Sequence, residues 1–175
     1  MSGIATQTSH LVELCKGTKT KVIDTRKTTP NIRGLEKWAV LLGGGANHRI
    51  GLYDMILIKD NHVDYAGGIE QAIDASKKYL KSTKKRLKIE VEARNIQEVK
   101  QILAIGGIQR IMLDNFPIPE IKKAVKLING KYETEASGGI TAKNIRNYAK
   151  CGVDFISVGA LTHHIKSLDL SLKAV

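Results

Sequence analysis

The feature that most constrains this chain is a spacing. Gly17, Gly107, Gly130 and Gly152 each stand seven residues before Asp24, Asp114, Ser137 and Gly159. Glycine reaches the left-handed backbone that ends helices, so it makes a natural helix stop. Each interval then holds a short run rich in β-branched and apolar residues, such as Arg110-Ile111-Met112-Leu113 or Phe155-Ile156-Ser157-Val158. The unit reads as helix stop, strand, then a polar or small residue at the strand's C-terminal end. Strands of equal length ending at one level suit a parallel barrel whose site lies at those ends.

The rest of the chain repeats the unit. Helical periods run over residues 4–16, 35–42, 68–80, 96–105, 118–128 and 142–150, and strand patterns over 21–24, 54–59, 87–92, 110–114, 132–137 and 155–159. The nearly unbroken apolar run Met55-Ile56-Leu57-Ile58 marks a strand covered on both faces. No hairpin signal interrupts the alternation, and no Gly-x-Gly-x-x-Gly follows the first strand, which disfavours an open dinucleotide-binding sheet. The predicted fold is α/β: an incomplete parallel (β/α) barrel of about six strands, forming one domain over residues 1–175.

Charge and cysteine usage narrow the function classes. The net charge of +11 is spread along the chain, with one dense run from Lys77 to Lys88. That run contains a single aromatic residue, Tyr79, so it reads as a solvated helix end and loop rather than a nucleic-acid patch. Cys15 and Cys151 show no Cys-x-x-Cys spacing and predict neither a disulfide framework nor a zinc site. With no membrane-length apolar run and no export signal, the expected location is the cytoplasm.

Candidate site residues cluster at the predicted strand ends. Asp24-Thr25-Arg26-Lys27-Thr28-Thr29-Pro30, Gly43-Gly44-Gly45-Ala46-Asn47-His48-Arg49 and Ile58-Lys59-Asp60-Asn61-His62 bring Arg26, Lys27, His48, Arg49 and Lys59 into loops. Together these would hold a small molecule with several negative charges. Glu90 and Glu92, two apart on one strand, point to the same side. Glu92 and Asp114, nearer the mouth, fit ribose hydroxyls or a hydrated magnesium ion; pairing with a neighbouring cation is the structural alternative, weighed evenly for Glu90. Ser137-Gly138-Gly139-Ile140-Thr141, with Gly159 after the last strand, resembles a phosphate turn opening a helix. His62, His163 and His164 show no metal-ligand spacing, and His163 and His164 read as surface or helix-end residues.

These strings, with Ser2-Gly3-Ile4-Ala5-Thr6, Glu90-Val91-Glu92, Leu113-Asp114-Asn115-Phe116, Glu135-Ala136-Ser137-Gly138-Gly139-Ile140 and Ser157-Val158-Gly159-Ala160-Leu161-Thr162, resemble the quinolinate phosphoribosyltransferase family. The resemblance runs in register over nearly the whole chain. It implies decarboxylating transfer of ribose 5-phosphate from phosphoribosyl pyrophosphate to quinolinate, giving nicotinate mononucleotide, pyrophosphate and CO2 in NAD synthesis. Carried over by position, Arg26, His48, Arg49 and Lys59 would contact quinolinate, with Lys27 near the substrate or the pyrophosphate. Glu92 and Asp114 would hold ribose hydroxyls and Mg2+, and Ser137, Gly138, Gly139 and Gly159 the 5-phosphate. Lys59, Glu92 and Asp114 are the expected catalytic residues.

Members of the family carry an N-terminal α/β domain that lends an arginine to the partner subunit's site, and they are dimer-based homo-oligomers. This chain is expected to lack that domain and to turn over weakly or not at all, with the run 168–173 as the segment that returns to it. Two other readings stay open on the residues alone. One is a related phosphoribosyltransferase acting on another anionic ring; the other is a non-catalytic module, whether a basic binding surface or an interaction scaffold.

Overall fold

The computed structural model describes residues 1–166 and 170–174. The expected returning run, 168–173, therefore falls partly outside the described residues, at Leu168 and Asp169. Six parallel strands form one sheet: β1 (Lys21–Ile23), β2 (Met55–Ile58), β3 (Lys88–Ala93), β4 (Arg110–Asp114), β5 (Glu133–Ser137) and β6 (Phe155–Ser157). Their order is β1-β6-β5-β4-β3-β2. The ladder stops at β1 and β2, so the barrel is incomplete, as the spacing predicts. Among the described residues, only a bridge between Ile23 and Ala46 reaches into the gap, with the Ala46 N–H donating to the Val22 carbonyl at 2.9 Å.

The helices are α1 (Ser2–Leu14), α2 (Arg33–Leu42), α3 (Asp60–Ala66), α4 (Ile69–Thr83), α5 (Ile96–Ile105), α6 (Ile118–Ile128), α7 (Ile145–Ala149) and α8 (Ala160–His163). α5 starts where Asn95 accepts from the Glu98 N–H, and Glu98 accepts in return from the Arg94 N–H, a reciprocal cap. α6 carries Ile121, Ala124 and Ile128 on its buried face and stops at Asn129 in the left-handed region. The four spaced glycines all have positive φ, from +72° at Gly130 to +83° at Gly152. They sit just beyond the helix caps, in the turn that launches each strand.

The strands' two faces differ in kind. Val22, Ile89, Val91, Ile111, Leu113, Ala136 and Ile156 face the helices and join Leu11, Ile73, Ile102, Ile121 and Ile145 in one hydrophobic core. The alternate residues face inward, and most are polar. The ladder registers put Leu57 beside Glu90, Glu92 beside Met112, Met112 beside Glu135, and Asp114 beside Ser137. Period-2 alternation thus separates a dry outer core from a polar interior.

Two helical expectations change. The helix expected over 68–80 is longer at its end, and a separate short helix, α3, precedes it; Gly67 and Gly68, at φ +85° and +145°, make the break. The helix expected over 142–150 shortens to α7, because Asn144 Oδ1 takes the Thr141 N–H at 2.7 Å and closes a turn ahead of it. The lysine run covers the C-terminal part of α4 and the start of β3, at the end of the sheet away from the strands' C-termini, and is largely exposed. No helix among the described residues is long and apolar enough to cross a membrane.

Candidate active site

A cavity of about 760 Å³ opens at the C-terminal ends of the strands. Arg26, Lys27, His48, Arg49, Lys59, Glu92, Asp114, Ser137, Gly138, Gly139 and Gly159 all line it. The structure therefore brings together every residue assigned to substrate or metal from the sequence, drawn from six strand ends and the 46–50 loop, while Glu90, His62 and His164 do not line the cavity. It adds Glu135, Ser157 and His163 to the wall. Glu133-x-Glu135-x-Ser137 carries the same two-residue acidic alternation as Glu90 and Glu92, a signal that marks Glu135 as inward-facing. His163 is the helix-end residue expected, at the end of α8, but its ring also reaches the cavity beside Gly159.

The basic wall is held by α2. Glu36 accepts from the Thr29 N–H and hydroxyl, both at 2.8 Å. Lys37 donates to Asp24 Oδ1 at 2.6 Å and to the His48 carbonyl at 3.1 Å, while Asp24 accepts from the His48 N–H at 2.8 Å. Arg33 donates to the Ile50 carbonyl at 2.7 Å and the Arg26 carbonyl at 3.4 Å. One turn of one helix thus ties down both basic loops. Asp24 and Lys37 are buried and absent from the cavity wall, so they serve as a bracket rather than a ligand.

The guanidinium of Arg49 is only partly satisfied. Its Nη1 donates to the Met55 carbonyl at 3.1 Å, but its buried Nε has no partner. Burial, and then the nearby charge of Arg26, pull Arg49 below its ordinary value. Two like charges crowded together, one with an unmet donor, would be relieved by a carboxylate.

Below this wall lies a buried cluster. His48 Nε2 is 3.0 Å from Glu90 Oε2 and 3.4 Å from Glu135 Oε2, though neither oxygen lies along the N–H direction. Arg110 Nη1 donates to Glu135 Oε2 at 2.9 Å, and its guanidinium stacks on the Phe155 ring at 3.9 Å. Burial, and then the charge of Glu135, push Glu90 up to about 7. Burial alone would lower His48, but Glu135 and Glu90 outweigh it and raise the imidazole to about 9. A second proton on the ring is opposed locally, because the Arg49 N–H donates to Nδ1 at 2.7 Å and needs its lone pair. The geometry therefore places the cluster's extra proton on Glu90, the carboxyl that burial and Glu135 raise, and leaves the ring neutral.

His48, Glu90 and Glu135 present ligand atoms within 4.8 Å of one another, which is close enough for a metal ion. The donors do not suit one: Nδ1 accepts, which leaves the proton on Nε2, and Arg110 places a fixed positive charge on Glu135. Glu92 and Asp114 fit better. Burial, and then the charge of Asp114, raise Glu92, while Lys59 Nζ, 3.9 Å from Glu92 Oε2, opposes that rise. Two carboxylates crowded at a cavity mouth are what a hydrated Mg2+ takes from a protein.

The glycine turn completes the wall. Gly138 has φ +94°, and a Cβ there would stand 2.2 Å from Asn115 Oδ1. The backbone N–H groups of Gly138 and Gly139 make no hydrogen bond among the described residues, leaving two donors beside the cavity. The expectation that a helix start supplies further free N–H groups is corrected: α7 begins only at Ile145, and the Thr141 N–H is already taken. A Cβ at Gly159 would stand 2.8 Å from His163 Nε2, so a larger residue there would displace the His163 ring.

Residues 4–173 match the family described as Quinolinate phosphoribosyl transferase, C-terminal domain. The chain belongs to this family. It is 46% identical over 187 aligned residues to the nicotinate-nucleotide pyrophosphorylase (carboxylating) of Arabidopsis thaliana, covering 99% of this chain and 53% of that protein. The solved nicotinate-nucleotide pyrophosphorylase of Francisella tularensis superposes with a TM-score of 0.91 at 49% identity, covering 97% of this chain and 59% of that one. The NadC structure from Streptococcus pyogenes gives a TM-score of 0.91 at 41% identity, covering 99% and 59%. As a quinolinate phosphoribosyltransferase domain, the chain spans about half the length of the curated relatives it matches.

Proposed function

We propose that this domain binds quinolinate and phosphoribosyl pyrophosphate and takes part in the decarboxylating transfer of ribose 5-phosphate to the pyridine nitrogen. The products are nicotinate mononucleotide, pyrophosphate and CO2. A relative of this chain from Nicotiana glauca, 44% identical, is named quinolinate phosphoribosyltransferase (decarboxylating). The observation that carries the reading is the division of one cavity into three chemistries: Arg26, Arg49, Lys59 and His48; Glu92 and Asp114; and the glycine turn.

Quinolinate carries two carboxylates on adjacent ring carbons. Arg49 and Arg26 would receive them, and Lys59 would sit where the ring meets the ribose. Glu92 and Asp114 would bind the ribose hydroxyls and hold Mg2+, which when bound would neutralise the leaving pyrophosphate. Gly138, Gly139 and Gly159 would let the 5-phosphate approach the backbone, with Ser137 alongside. As the ring nitrogen becomes ribosylated and positive, the ring accepts the electron pair left when CO2 departs from the neighbouring carbon. Lys59 would steady that carboxylate before it leaves.

Calorimetry on this chain tests the reading. Quinolinate should bind, nicotinate should compete poorly, and phosphoribosyl pyrophosphate should bind more tightly with Mg2+ present. Equal affinity for nicotinate and quinolinate would move the assignment to another anionic ring, and no binding of either substrate would sink it.

A further inference from the structure

We propose that Glu135, braced by Arg110, is a positioning residue that fixes the proton of His48 on Nε2 and thereby the backbone of Arg49. The inference deepens the quinolinate reading, on which it rests for the identity of the anion that Arg49 receives. Glu135 is fully buried on the inner face of β5, and its Oε2 lies 3.4 Å from His48 Nε2. The same oxygen accepts from Arg110 Nη1 at 2.9 Å. Arg110 is held in turn by Glu133 Oε2, at 3.2 Å from Nε and 3.1 Å from Nη2, and by the Phe155 ring. Glu135 therefore cannot swing away from the imidazole without breaking a buried ion pair.

Glu135, kept ionised by Arg110, sets its negative charge beside Nε2, and Glu90 Oε2 lies 3.0 Å away on the other side. A neutral imidazole places its single proton on the nitrogen that faces negative charge. Nδ1 is then left with a lone pair, and the Arg49 N–H donates to it at 2.7 Å. The His48 backbone has no freedom of its own, because Asp24 and Lys37 hold its N–H and carbonyl. Glu135 thus decides the tautomer. In the other tautomer two N–H groups would face each other across the same gap, and the Arg49 backbone would have to move. The chain of contacts runs from Arg110 at the base of the barrel, through Glu135 and His48, to the guanidinium at its mouth.

The test pairs imidazole 15N NMR with calorimetry. In the wild-type protein His48 should carry its proton on Nε2. Glu135→Gln should mix the two tautomers and weaken quinolinate binding by about tenfold, the scale of one lost hydrogen bond to a charged group. Binding of phosphoribosyl pyrophosphate should stay within about twofold, since its contacts lie elsewhere on the wall. Glu133→Gln also takes a partner from Arg110 but does not touch His48, so it should change neither tautomer nor quinolinate affinity. A ring protonated on Nδ1 in the wild type, alone or as the cation, overturns the proposal even if Glu135→Gln fails to fold. So does a folded Glu135→Gln that keeps both the tautomer and the affinity. If wild-type protein binds no quinolinate, the functional reading fails, while the NMR result still decides the role of Glu135.

Discussion

At the scale of single residues, the buried His48 cluster sets how the protein responds to pH. Glu90 rises from 4.5 to about 7 on folding, through burial and then the charge of Glu135. The folded value exceeds the unfolded one, so the stability this proton contributes is full below about pH 4.5 and is lost as pH rises through about 7. The proton leaves behind two buried carboxylates faced by a single buried guanidinium. The melting temperature should therefore fall between about pH 4.5 and pH 7, and Glu90→Gln should flatten that fall. Thermal melts across the range check this, and a profile identical to wild type would refute it. Arg49→Met should weaken quinolinate binding by about 1.5–3 kcal/mol, the worth of a hydrogen bond to a charged group, with calorimetry as the readout.

At the scale of elements, two substitutions separate scaffold from site. Lys37→Met leaves Asp24 buried without its cation and should cost about 3–5 kcal/mol by denaturant titration. Adding Asp24→Asn should recover part of that loss. Gly138→Ala combines φ +94° with a Cβ 2.2 Å from Asn115 Oδ1, so it should cost about 1–3 kcal/mol and displace the turn. Phosphoribosyl pyrophosphate binding should then weaken more than quinolinate binding.

The same elements show what was legible in the sequence. The glycine-to-strand interval exposed the barrel because helix stop and strand start are local events. Arg26, Lys59, Glu92 and Ser137 were readable because a strand end is a local place. Glu135 was harder to see. It lies mid-strand, and its meaning depends on His48, which arrives from a loop 87 positions earlier. Asp24–Lys37 was hidden for the same reason: a buried ion pair leaves no period or spacing in the chain. The length of α7 was misjudged because Asn144 turns inward to the Thr141 N–H, a choice no helical period announces.

At the scale of the molecule, the exposed apolar surface is concentrated on one side. On α2, Leu35, Trp38, Leu41 and Leu42 are each 49–62% exposed, and Ile50, Leu52 and Tyr53 extend the patch. Apolar patches of this kind drive association in water. The chain should sediment as concentration-dependent species, and Trp38→Ser with Leu42→Gln should shift it toward monomer without altering quinolinate affinity. Unchanged sedimentation would show that the patch is inert.

The inner side of the same helix gives α2 a second consequence. Arg33, Glu36 and Lys37 fasten the 24–30 and 46–50 loops to one turn of backbone. The two loops share no strand, but they share an anchor, so they should open as a single unit. Their amide protons would exchange with deuterium at a common rate, and anything that frays α2 would unlock both halves of the basic wall at once.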